Sequence, residues 1–75
     1  MDAAIVSFEN DHSALVVFDE VGCDVFRSYP REDYSEDGQT GISYVGNFSQ
    51  KEVRIAIDLK PKSMTDFLQL ILPHK

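Results

Sequence analysis

Apolar and β-branched residues gather in five short runs along this chain, each closed by a turn-forming group. AAIVSFE (3–9) is followed by the polar NDHS (10–13), and ALVVFDE (14–20) is the next apolar run, so the two predict a β-hairpin. Residues 20–22 (EVG) turn the chain again, with Gly22 able to adopt a positive φ. CDVFRSY (23–29) sets Val25 and Tyr29 opposite Phe26 and ends at Pro30. ISYVGNF (42–48) resumes strand character, and SQK (49–51) turns it. In EVRIAIDL (52–59), Val53, Ile55, Ile57 and Leu59 share one face, and Arg54, Ala56 and Asp58 share the other. That is the period-two pattern of a strand with one wet side.

The period changes after KPK (60–62). Ser63 followed by Asp66 forms a capping-box-like start, and Met64, Phe67, Leu68, Ile71 and Leu72 make a stripe at helical spacing before Pro73. The expected fold class is α+β. A small, mostly antiparallel sheet of about five strands carries one C-terminal helix, Met64 to Leu72, on one face. The first two strands are apolar on both sides, with Val6, Phe8, Val16 and Phe18 on one and Ile5, Leu15 and Val17 on the other. A helix about 15 Å long covers only one face of such a sheet. The sheet therefore either curls into a small barrel-like form or buries its second face against another chain, as in a homodimer or a complex with a partner protein.

Length limits the picture further. A chain of 75 residues has room for one compact domain, 1–75, and buries only about 60% of its unfolded surface. The apolar fraction of 43% suits a folded core. Cys23 is the lone cysteine, so no internal disulfide forms, in keeping with a reducing, cytoplasmic setting. MDAAIVSFEND has neither a basic segment nor a long apolar run, so no signal peptide is expected, and no stretch is long enough for a membrane span.

Charge changes the picture most. The net charge is −6, and it is unevenly placed. Residues 1–37 hold ten acids against Arg27 and Arg31, giving −8, while residues 38–75 carry +2. This balance disfavours direct binding to nucleic acid or an anionic membrane and favours a basic protein partner. PREDYSEDGQTG (30–41) concentrates Glu32, Asp33, Glu36 and Asp37 in one loop around Tyr34, and Asp19, Glu20 and Asp24 form a second acidic group. Tyr34 offers a large contact area with a polar tip. The fragment from Asp33 to Gly38 matches the start of a calcium loop, but position twelve is Tyr44 rather than a bidentate glutamate, and flanking helices are not expected. No metal or other cofactor is therefore expected.

Catalytic groups are sparse. Cys23 lies beside Asp24 and Glu20, whose negative field disfavours a thiolate, and His12 and His74 form no ligand pattern with it. The glycines follow no phosphate-loop spacing. Lys51, Arg54, Lys60 and Lys62 could form a basic patch, but Glu52 and Asp58 largely neutralise it.

The expected function is non-enzymatic protein binding. Asp19, Glu20, Asp24, Glu32, Asp33, Tyr34, Glu36 and Asp37 are the candidate partner-binding residues. They would engage the basic, nucleic-acid-handling surface of a larger protein and inhibit it by occlusion, as small acidic phage anti-defence proteins of the anti-CRISPR or anti-restriction type do. The alternative is a structural small subunit or homodimer that uses its second sheet face, with the acidic loop incidental.

Overall fold

The computed structural model describes residues 2–29 and 41–71. Four strands, β1 (Asp2–Ser7), β2 (Ser13–Phe18), β3 (Cys23–Ser28) and β4 (Ile42–Phe48), form an antiparallel sheet in the order β1-β2-β3-β4. Two helices follow, α1 (Gln50–Asp58) and α2 (Met64–Leu70). The α+β class and the antiparallel sheet agree with the sequence. The expected fifth strand and single helix do not, and the sheet is an open ladder of four strands rather than a barrel-like form.

The difference lies at residues 52–59. Their alternation predicts a strand, yet Gln50–Asp58 is helical. Ser49 starts the helix: its backbone is extended and its side chain accepts from the Glu52 amide at 3.5 Å. Ser49 and Glu52 have the spacing of a capping box, a signal that outweighs a short apolar alternation. Helical spacing then buries Val53 and Ala56 and half-buries Ile57, while Ile55 and Leu59 point outward. Lys60 ends the helix in the left-handed region at φ 53°, with its N–H donating to the Ile57 carbonyl at 3.1 Å, and Pro61 prevents continuation.

Helix α2 follows its expected start closely. The Ser63 side chain accepts from the Asp66 amide at 3.1 Å. The helix stops at Leu70, and Ile71 is already extended, which is shorter than the stripe to Leu72 implies.

Both helices lie on one side of the sheet. Val6, Ala14, Val16, Phe18, Cys23 and Val25 from the strands pack with Val53, Ala56, Met64, Phe67 and Ile71 from the helical layer. Phe67 is the largest fully buried side chain, with its ring centroid 6.0 Å from that of Phe8.

Turns tie the two layers together. The first hairpin closes through a 3-10 turn, Glu9–Asp11, with Asp11 at φ 62°. The Glu9 amide donates to the Lys62 carbonyl at 3.2 Å, which links this turn to the connection between the helices. In the β2–β3 turn, the Asp19 side chain accepts from the amides of Val21 and Gly22 at 2.9 and 2.6 Å. Gln50 of α1 donates its side-chain N–H to the carbonyls of Asp19 and Gly22. Gly22 has no positive φ; a Cβ there would press on the tip of the Asn47 side chain, which would have to shift.

The two readings of residues 50–58 predict opposite mutant behaviour. Ala56 is 0% exposed and Ile55 is 47% exposed. Ala56→Glu should therefore lower stability by about 3 kcal/mol or more, through a buried unpaired charge and overpacking, whereas Ile55→Glu should change it by less than about 1 kcal/mol. Urea denaturation of both variants checks this, and a strand at these positions would reverse the order.

Candidate functional site

The register that builds the core also composes the opposite face. Residues paired across antiparallel strands point to the same side. Ile5, Leu15, Phe26 and Tyr44 therefore form one row across all four strands on the side away from the helices. Ala3, Val17, Asp24 and Asn47 form the next row. Ile5 is 71% exposed and Tyr44 58%, while Leu15, Val17 and Phe26 are half-buried by their neighbours. Ile42 extends the apolar surface beside Tyr44, also exposed.

A bulge organises the centre of this face. The register between β3 and β4 shifts between Val25 and Phe26, so Phe26 pairs with Tyr44 while Asp24 pairs with Asn47. Two residues along β3 thus correspond to three along β4, and Val45 takes up the extra step by packing against the core. As a result both Tyr44 and Asn47 reach Asp24. The Tyr44 hydroxyl and the Asn47 side-chain N–H each donate to the same Asp24 oxygen at 3.0 Å. The Asp24 carboxylate, as acceptor and as nearby charge, raises the Tyr44 phenol above its usual pKa. Phe26 meets Tyr44 edge to face at 5.3 Å.

Charges divide between the two layers. Asp24 is the only charged side chain in the strand rows of the open face among the described residues. Lys51, Arg54, Lys60 and Lys62 belong to α1 and the connection that follows it. Arg54 stacks its guanidinium 4.0 Å above the Phe18 ring centroid, so it serves the packing of the helical layer.

The predicted partner-binding residues fall in three places. Asp24 lies on the open face. Asp19 and Glu20 are exposed in the β2–β3 turn, where the Asp19 carboxylate also holds the turn. Glu32, Asp33, Tyr34, Glu36 and Asp37 lie outside the described residues, as does the calcium-loop fragment. Their attachment points are described: the Tyr29 amide donates to the Gly41 carbonyl at 2.7 Å, beyond the Ser28–Ile42 pair. That end of β3 is opposite the Asp19–Glu20 turn, about 17 Å away along the strand. The Asp19–Glu20 turn and the point where the chain leaves the sheet at Tyr29 are thus at opposite ends of it. Asn47 is the site residue that sequence reasoning missed, while Tyr44 enters it as one of three tyrosines suited to an interface. Tyr44 could be found from its alternation with Ile42, whereas Asn47 depends on the bulge.

Cys23 is buried opposite Phe48 on the covered side. Burial, reinforced by the charge of Asp24, pushes its thiol up to about 11. Among the described residues, no group of three or more His, Cys, Asp and Glu side chains is placed to hold a metal ion, and no helix is long and apolar enough to cross a membrane. The chain matches no protein-family model, no curated protein and no solved structure.

The state of Cys23 yields a test. Its folded pKa exceeds the ordinary value of 9.0, so folding favours the protonated thiol. Stability should be unaffected by this group below pH 9 and should fall as pH rises from 9 towards 11. Cys23→Ala should remove that part of the alkaline loss in parallel urea titrations. At pH 8 the native thiol should resist thiol reagents, reacting only at the rate of unfolding.

Proposed function

We propose that this protein is a small, non-enzymatic binding module that occludes a basic surface on a larger, nucleic-acid-handling protein. The observation that carries this reading is the open sheet face, an apolar centre with Asp24 set into it and the exposed Asp19–Glu20 turn at one end. A partner with an apolar patch rimmed by lysine and arginine complements that arrangement, since stable interfaces combine an apolar core with a polar rim. Four strands of about six residues span roughly 400 Å², about half of what one partner contributes to a standard interface. The acidic turn and the 30–41 loop supply the remaining contact area. We infer inhibition of the kind used by phage anti-defence proteins, because carboxylates compete with phosphates for the same cations. The lone Cys23 suits a reducing, cytoplasmic setting.

Affinity capture from host lysate, washed at low and then high salt, tests this reading. The wild-type chain should retain a basic, nucleic-acid-handling protein that salt releases. Reversing Glu32, Asp33, Glu36 and Asp37 together to Lys should abolish capture without lowering the melting temperature. Undiminished capture by that variant would contradict the charge-based reading.

One specific observation favours a second reading, a homodimer or small subunit packed through the row of Ile5, Leu15, Phe26 and Tyr44. Sedimentation separates the two readings. A dimer that persists in high salt and is lost in Ile5→Lys supports the second reading, and a monomer at both salt concentrations supports the first.

A further inference from the structure

The Asp24 carboxylate is held by one oxygen only. The Tyr44 hydroxyl and the Asn47 side-chain N–H both donate to that oxygen, each at 3.0 Å. The second oxygen accepts no hydrogen bond among the described residues and is not among the buried unpaired atoms, so it reaches solvent. Arg27 is the only cation within the four strands. It pairs with Ala14 and Ser43 and so belongs to the helical side. Within the strands, no cation therefore shares the open face with Asp24.

An aromatic surface adjoins the free oxygen. Tyr44 is 58% exposed, and its hydroxyl bond to Asp24 fixes ring and carboxylate relative to each other. Phe26 steadies the ring edge to face at 5.3 Å. Leu15 and Val17, half-buried on β2, pair with Phe26 and Asp24 and continue the apolar surface. A guanidinium suits this combination in three ways. Its N–H groups donate to the oxygen, its plane stacks on the ring, and its alkyl stem lies along apolar side chains. The chain already stacks one such pair on its helical side, with the Arg54 guanidinium 4.0 Å from the Phe18 ring centroid. A lysine ammonium is more strongly hydrated and has no plane to stack.

We infer that Asp24 and Tyr44 form a receptor for one arginine side chain of the partner protein, docked on the open face. This contact rests on the open face being the partner-binding surface, and it narrows the partner to one with an exposed arginine flanked by apolar residues. Those flanks cover the row of Leu15 and Phe26 and exclude water from the ion pair, which strengthens it. Asn47 is the positioning residue, since its N–H holds the carboxylate while the second oxygen stays open to the guanidinium.

NMR titration of the full chain with capped leucyl-arginyl-leucine tests this contact, alongside the same peptide with lysine or norleucine at its centre. Ionic strength is held constant. The Asn47 side-chain amide and the Tyr44 ring signals should shift saturably with the arginine peptide. Its affinity should exceed that of the norleucine peptide about tenfold and that of the lysine peptide severalfold. Asp24→Asn keeps an acceptor for both Tyr44 and Asn47, and should lower the arginine peptide to the affinity of the norleucine one. Tyr44→Leu should abolish the difference between arginine and lysine. No saturable shift with the arginine peptide, equal affinity for arginine and norleucine, or an arginine preference that survives Asp24→Asn would overturn the inference. The occlusion reading fails separately. Capture of a basic protein that is lost on reversing the four loop acids but unchanged in Asp24→Asn removes the arginine contact alone.

Discussion

Two short helices, of nine and seven residues, span about 14 and 10 Å, enough to roof one side of a four-stranded sheet and no more. The strands nevertheless carry apolar residues on both sides, and the rest of the structure follows from that mismatch. On the roofed side Val16, Val25, Val53, Ala56 and Phe67 are fully buried, which anchors the domain. On the other side the same pleat presents Ile5, Leu15, Phe26 and Tyr44 in line across the strands. A chain this small gives up stability by leaving apolar surface in water, so the open face is the place where binding energy is available.

Electrostatics follows the same two-sided layout. The acidic first half of the sequence builds β1 to β3 and the 30–41 loop, while most basic residues fall in the helical layer. Asp19 and Glu20 lie in the β2–β3 turn, so on the strands of the open face the acidic half is represented by Asp24 alone among the described residues. Within the open face, Asp24 is held by Tyr44 and Asn47, so its charge is positioned rather than swinging free. The bulge in β4 is what permits both contacts.

Much of this was legible before the structure, for identifiable reasons. The first four strands carry β-branched runs closed by turn residues, and the division of Val6, Val16 and Phe18 from Ile5, Leu15 and Val17 predicts the two faces. Residues 52–59 read as a strand because Val53 and Ile57 fit periods of both two and four. Ala56 decides between them: it belongs on the wet side of a strand but is buried in the helix. Ser49 with Glu52 supplied the local signal for the helix start. The pairing of Asp24 with Asn47 was hidden because a one-residue bulge leaves no clear mark in apolar periodicity.

Solvent paramagnetic relaxation of methyl groups in the isolated protein, using a soluble gadolinium probe, tests the central claim most directly. Relaxation enhancement should be strong at Ile5 and measurable at Leu15 and Val17, with Val16, Val25 and Val53 protected. If Ile5, Leu15 and Val17 are as protected as Val16, the open face is already covered in the free protein, and the claim that it is available to a partner fails.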